Sequence, residues 1–448
     1  MTFRSDIEYL AASIPGHGVR TSDLDIVPAS TGAASAFDVD RLLAASGGYC
    51  VAAAGDLAET DGGTAPARRL DLGHVLSFCT THVEVDGARV PAWADLSGVY
   101  PTADDRHLQI HCNFPHHADG VVGLLGTAHD RDAVAAAIAG RDAIELETEL
   151  VASGLIAAVV RTMPEWDEHP HARATRDLPV VSAEQIGEAA PSEPTGLRVL
   201  DCSRVLAGPV AGQMLAGFGA DVIRLGASHL PSVEIGVIST GFGKRNVDAD
   251  LRTDEGRRAM TALLEGADVW IDAYRPGAMS GHGLTPEPVA TLRPGPVVVQ
   301  VSAFDRVGPW AARRGYDSIV QSTTVIRWAG GTSAVDESGA PSDRGPTGLP
   351  VQALDYATGF VAAGVASQLV AHQRRVGGSW LARLSLLRTR NWLVSMGGPS
   401  PYRPEPVRVD PDHLVTLDSE FGRLTTVAPF AGELRHAPRP LGTSEPRW

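Results

Sequence analysis

The sequence predicts an α/β protein with a parallel, doubly wound, Rossmann-like sheet and a smaller α+β domain placed N-terminally. Three observations carry that prediction. Residues 197–225, LRVLDCSRVLAGPVAGQMLAGFGADVIRL, run from an apolar strand through a Gly/Pro turn into a helix ending at Gly219, then into a second apolar strand. Strand and helix patterns keep alternating downstream, as βαβ units do. The strand segments are near-continuous apolar runs, as expected where both faces of a sheet are covered.

Taken in order, residues 1–90 are Ala-rich, with helical spacing in AFDVDRLLAASGGYCVAAAGDLAE, and are read as mostly helical. GVYPTADDRHLQIHCNF alternates apolar and polar residues around Ala103–Asp105 and predicts a hairpin. DRDAVAAAIAG and AIELETELVASG predict two helices, each closed by a glycine. PVVSAEQIGEAAPSEPTG (179–196) lacks periodicity and reads as a linker, dividing the chain into domains 1–190 and 191–448. Beyond it come a strand at 197–201, a helix at 208–218 and a strand at 221–225. An extended GKRNVDADL, a helix at 253–265, strands at 267–274 and 296–304 and a long helix at 354–375 follow. GGSWLARLSLLR reads as a turn and strand, and the Pro-rich tail 405–448 holds one alternating stretch, GRLTTVAPF.

Bulk properties narrow the function. A formal charge of −15 argues against a nucleic-acid backbone as partner, so an anionic ligand needs a local basic pocket. No apolar run is long enough to cross a bilayer, and no secretory leader is visible, so a cytoplasmic location is expected. Cys50, Cys79, Cys112 and Cys202 lie far apart without CxxC spacing, which fits a reducing compartment. His111-Cys112 and His116-His117 have ligand chemistry, but strand alternation sends His111 and Cys112 to opposite faces, and no metal is expected. Lys244 is the sole lysine, set beside an arginine in a Gly-flanked turn.

The βα turn itself, Ala207-Gly208-Pro209-Val210-Ala211-Gly212, lacks the G-x-G-x-x-G fingerprint. No acidic residue closes the second strand, where Leu225-Gly226-Ala227 follows Arg224. Both features argue against NAD and leave open a purely structural turn.

DCSRVLAGPVAGQMLAGFGADVIRL, GKRNVDADLRTDEG, ADVWIDAYRPGAM, RRGYDSIVQS and ALDYATGFVAAGVASQLVAHQRR occur in the order seen in class III CoA-transferases. That family includes formyl-CoA and carnitine CoA-transferases and α-methylacyl-CoA racemase, and the resemblance spans about residues 195–390. It implies a CoA-binding sheet domain and Asp355, in ALDYATG, as a nucleophile that carries first an acyl group and then CoA. It further implies that Val205, Leu206 and Ala207 lie along the adenine and pantetheine portions of CoA. Arg252 and Arg314 match basic contacts, and Tyr274 and Arg275 match residues lining the CoA path. Lys244 is a phosphate partner by charge and turn context. The partners implied are an acyl-CoA and a small carboxylic acid, and the assembly implied is a homodimer; the family's dimers are interlocked, and the altered domain order of this chain leaves both an interlocked and a simple dimer open.

The sequence departs from the family in four places. Gly315-Tyr316-Asp317 stands where racemases carry G-H-D. A tyrosine is a poor base near neutral pH, so α-proton chemistry is disfavoured and Tyr316 and Asp317 are assigned to the acyl pocket. Gly226-Ala227 replaces a basic residue that often follows the second strand. Gly397-Gly398 is too short for the glycine loop of formyl-CoA transferases. Finally, residues 99–170 resemble the family's small domain yet precede the βαβ series. A CoA-transferase is the leading expectation, with an acyl-CoA racemase or isomerase, or a non-catalytic acyl-CoA-binding protein, as alternatives.

Overall fold

The computed structural model describes residues 3–14, 18–64, 68–330, 334–335, 341–342, 346–400 and 406–448. The chain enters with a helix at Phe3–Ala11 and the long helix α1 (Val39–Thr60). A three-stranded antiparallel sheet, β1 (Gly98–Pro101), β2 (His107–Ile110) and β3 (Ala157–Val159), follows. Three helices, α2 (Pro115–Leu125), α3 (Arg131–Ala139) and α4 (Ala143–Ala152), lie between β2 and β3 and pack with the strands around Leu108, Ile110, Val121, Ile138, Leu146 and Leu150. This is the small α+β unit that the alternation and the glycine-closed helices predicted.

The main sheet has seven strands. In chain order they are β4 (Ser182–Gly187), β5 (Arg198–Cys202), β6 (Asp221–Gly226), β7 (Lys244–Asp248), β8 (Val269–Asp272), β9 (Val297–Ser302) and β10 (Ser379–Ser385). Their spatial order is β7-β6-β5-β8-β9-β10-β4, with six parallel strands and β4 antiparallel on the edge. The helices that matter for the site are α5 (Ala207–Gly217), α6 (Asp254–Gly266), α7 (Asp317–Thr323) and α8 (Ala353–Val376).

Successive strand residues face opposite layers. Val199, Val222, Val269 and Val297 meet α1, α5 and α8 on one side, while Leu200, Ile223, Trp270 and Val298 meet α6 on the other. The near-continuous apolar strands follow directly from two covered faces. Residues Ala353–Gln373 of α8 are buried on every side, so that helix is a core rod rather than a surface element.

Two expectations are corrected. The 179–196 stretch is not a free linker, because Ser182–Gly187 pairs with β10 from Ser182↔Arg383 to Gly187↔Ser379. Nor does the chain divide cleanly at residue 190. α1 packs along α8, with the Tyr49 hydroxyl 2.5 Å from Gln368 Oε1. The C-terminal hairpin Leu414–Ser419/Gly422–Val427 pairs with Val83–Val85. Apolar residues far apart in sequence close a single core across that boundary, which local composition does not register. Among the described residues no helix is long and apolar enough to cross a membrane.

Candidate functional site

At the C-terminal ends of the parallel strands lies a cavity of about 870 Å³, within the size range of small-molecule sites. Its floor is built from the loops after β5, β6, β7 and β8, the crevice where open α/β sheets take ligands. Its roof is the start of α2, which brings Phe114, His116 and His117, and Arg314 and Tyr316 also line it. Both walls come from the same chain.

The turn between β5 and α5 is strained. Val205 sits at φ 70°, a left-handed conformation that a β-branched residue adopts at a cost on the order of 1–3 kcal/mol. The buried Leu206 and Ala207 anchor the turn on its helical side. The Ala207 N–H is then spoken for, since it donates to the Asp355 carboxylate. Gly359, one helical turn after Asp355, is what lets α8 come this close: a Cβ there would lie 2.6 Å from the Ala207 carbonyl oxygen. The D-x-x-x-G spacing therefore has a steric reason, with the glycine admitting α5 and the aspartate meeting its first turn.

Asp355 occupies the first turn of α8, is 7% exposed, and forms no ion pair among the described residues. Burial, then the negative charge of Asp317, push its pKa well above the usual carboxylate range. Asp317 is fully buried. Its Oδ2 accepts from the Asp355 N–H at 3.0 Å, its Oδ1 accepts from Gln321 Nε2 at 2.5 Å, and it also accepts from the Leu354 N–H. Burial raises it to about 6. The assignment of Asp317 to the acyl pocket is corrected: it caps α8 from beneath and does not line the cavity. Tyr316, the residue before it, does line the cavity and packs against His111 at 4.2 Å between ring centroids.

Asp355 does not itself line the cavity, but two of its neighbours are close in sequence to residues that do. Ala207, its hydrogen-bond donor, is two residues past Val205, and Asp317, which holds its N–H, directly follows Tyr316. Val205, Arg252, Tyr274, Arg275 and Arg314 line the cavity, whereas Leu206 and Ala207 are buried and do not. Arg252 is solvent-exposed and held by Asp250 at 2.7 Å, and Arg314 donates to the Gly154 carbonyl.

The phosphate role expected for Lys244 is corrected. Its ammonium is 1% exposed, pairs with Asp201 at 2.8 Å and donates to the Pro209 carbonyl at 2.6 Å. It fastens β7 to β5 and α5, and the turn context that recommended it is the packing it serves. Gly397 and Gly398 line a separate cavity with Ala36 and Phe37.

Sequence reasoning missed four residues here. Arg204 and Arg224, at the ends of β5 and β6, and His116 and His117, opening α2, all border the cavity or its side recess. A basic residue within or just past the end of an apolar strand, as Arg224 and Arg204 are, was the legible signal for the arginines. The histidines were weighed only as metal ligands, although Pro115 at the first helical position marks a helix start.

The model of CoA-transferase family III matches residues 195–398. The chain is 34% identical over 202 residues to a probable fatty acyl-CoA transferase, Rv3272, of Mycobacterium tuberculosis, covering 42% of this chain and 49% of that one. It is 31% identical over 219 residues to a succinate–glutarate CoA-transferase of Agrobacterium fabrum, covering 45% and 52%. A CaiB/BaiF family protein of Brucella suis aligns in structure at 26% identity and TM-score 0.38, covering 52% of this chain and 65% of that one. The chain thus spans about half the length of the curated relatives it matches.

Proposed function

We propose that the chain, whose residues 195–398 match the model of CoA-transferase family III, moves CoA between an acyl-CoA and a free carboxylic acid, with Asp355 as covalent carrier. The main sheet is then the doubly wound, Rossmann-like CoA domain, and the N-terminal α+β unit is its cover.

The Asp355 carboxylate attacks the thioester carbonyl, the C–S bond breaks, and a mixed anhydride and CoA thiolate result. The thiolate attacks the aspartyl carbonyl, giving an aspartyl-CoA thioester and releasing the first acid as its carboxylate. The second acid's carboxylate attacks this thioester and expels the thiolate, forming a new anhydride. The thiolate then attacks the acyl carbonyl, yielding the new acyl-CoA and the Asp355 carboxylate. Charge and atoms balance without ATP, because each activated bond is exchanged for another.

The observation that carries this reading is a buried carboxylate with no cation beside it, next to a cavity at the strand ends. Ionised Asp355 bears a desolvation penalty. Acylation makes it neutral and removes that penalty, so the surroundings favour the covalent states over a resting salt link. CoA would run along Val205, Ala249 and Tyr274, with Arg252, Arg275 and Arg314 near its phosphates. Tyr316, whose hydroxyl burial raises to about 12, is unsuited to α-proton abstraction, and this favours transfer over racemisation. Four buried free cysteines fit the cytoplasm.

The test is to incubate the protein with acyl-CoA, trap with hydroxylamine or borohydride, and map the modification by mass spectrometry. Modification at Asp355 is expected, together with loss of CoA exchange on the order of 10³-fold or more in Asp355→Asn. Measurable exchange with Asp355 unmodified would overturn the mechanism. CoA binding without exchange across a broad acid panel would instead mark a binding protein.

A further inference from the structure

Beside the main cavity lies a small recess of about 30 Å³ that shares Phe114, Arg204 and Val205 with it. Arg224 lines this recess, is 9% exposed, and its Nη1 has no hydrogen-bond partner. Arg204 borders both spaces, and its buried Nε and Nη2 are likewise without partners. Its guanidinium rests 5.0 Å from the Phe114 ring centroid, so its flat face is packed while its donors stay unused. The neighbouring carboxylate, Asp201, is already taken by Lys244.

Two guanidinium groups that line one recess, each with buried donors left unused, are costly unless an anion joins them. Gly226 fits that reading: a Cβ there would lie 2.9 Å from Arg224 Nη1, so the bare backbone leaves room for the guanidinium. Gly226-Ala227 is also the place where the sequence lacks a basic residue after the second strand. The roof adds His117, 3% exposed, with both ring nitrogens unpartnered.

We propose that Arg204 and Arg224 form a phosphate-binding subsite in the floor of the cavity, which takes a phosphate group of the CoA substrate and supplies from below the charge that residues 226–227 do not. This rests on the CoA reading given above. Phosphate suits the site better than a carboxylate. Two adjacent guanidinium groups match an anion of higher charge with several acceptor oxygens, and the recess lies on the strand-end path assigned to the nucleotide portion.

The test is calorimetric binding of CoA, 3′-dephospho-CoA and pantetheine to the wild-type chain, Arg204→Gln, Arg224→Gln and the double variant. Each single change is expected to weaken CoA binding roughly 10- to 100-fold, the range for lost hydrogen bonds to a charged group, and to leave pantetheine binding unchanged. If the variants' loss persists with 3′-dephospho-CoA, the diphosphate is the ligand; if it vanishes, the 3′-phosphate is. Either result supports the subsite. The ligand-free double variant is expected to melt no lower than wild type, because two uncompensated cations have been removed. CoA binding equal to wild type in the double variant overturns the subsite while leaving the CoA reading intact. A lower melting point with equal loss of pantetheine binding also overturns it, assigning both arginines to the scaffold. Failure of the wild-type chain to bind CoA at all overturns the function proposed above.

Discussion

The seam between the small α+β unit and the main sheet has two ends that treat buried charge in opposite ways. At one end Glu147 of α4 accepts from Arg161 Nη1 at 3.0 Å, from the Val159 N–H at 3.0 Å and from Arg313 Nη2 at 2.8 Å, with a further bond from Arg161 Nη2. The Arg313 guanidinium lies 4.0 Å from the Trp310 ring centroid and also reaches the Ala157 carbonyl. At the other end Arg204, Arg224 and His117 keep unpartnered nitrogens around open space. The first cluster satisfies its buried carboxylate and leaves one guanidinium nitrogen, Arg313 Nε, without a partner, while the second holds two guanidinium groups and, among the described residues, no ion pair. Buried polar groups are normally paired, so the incomplete end is where a ligand belongs.

The largest effect expected from breaking the closed end comes from Glu147. Removing it by Glu147→Ala strands two buried guanidinium groups and should cost about 3–5 kcal/mol in urea unfolding. Its arginines hold the Glu147 pKa down to about 2 against an ordinary value of 4.5, despite the opposing effect of burial. A lowered folded-state value means stability present above pH 4.5 and lost as the pH falls toward 2. Glu147→Gln should flatten that acid-side slope, and an unchanged slope would remove Glu147 from the account.

This contrast also marks what the sequence shows and what it hides. The five strands between 198 and 302 and the helices α5, α6 and α8 are legible because apolar runs and capping glycines are local signals, whereas the short helices between them, α7 included, carry too little pattern to be read. Arg252, Tyr274 and Arg314, named from motifs far apart in sequence, lie on one cavity. Lys244 misleads because nothing in GFGKRN indicates that Asp201, 43 residues earlier, accepts its charge at 2.8 Å. The edge strand Ser182–Gly187 is hidden because it alternates weakly and gains its order from β10, far away in sequence. Asp317 was placed in the right region with the wrong role, since which helix end it caps is settled only by tertiary packing.

A smaller effect sharpens the comparison through Asp317, whose environment has the opposite sign to that of Glu147. Burial raises its pKa from 3.8 to about 6, so its contribution to stability is full below pH 3.8 and is lost as the pH rises toward 6. Asp317→Asn should abolish that slope while keeping an acceptor for the Asp355 N–H. It also deletes a negative charge that raises the Asp355 pKa, so the acid limb of the exchange-rate profile should move to lower pH. A limb that stays in place, with the variant folded, would show that the two aspartates are not coupled in the working enzyme.

The smallest effect comes from a pair that belongs to neither end. Arg106 meets Glu165 at 2.6 Å, with side chains 26% and 39% exposed. Glu165 separately closes the capping box of Thr162, accepting from its N–H and its hydroxyl at 2.7 Å each. Arg106→Ala leaves the box intact and removes only a partly solvated ion pair, so about 0.5 kcal/mol or less should be lost in urea unfolding, and less still at high salt. Setting this beside Glu147→Ala holds the chemistry roughly constant and varies burial. If the two substitutions cost the same, burial is not what separates the closed end of the seam from its surface, and the unpartnered arginines at the open end lose their significance.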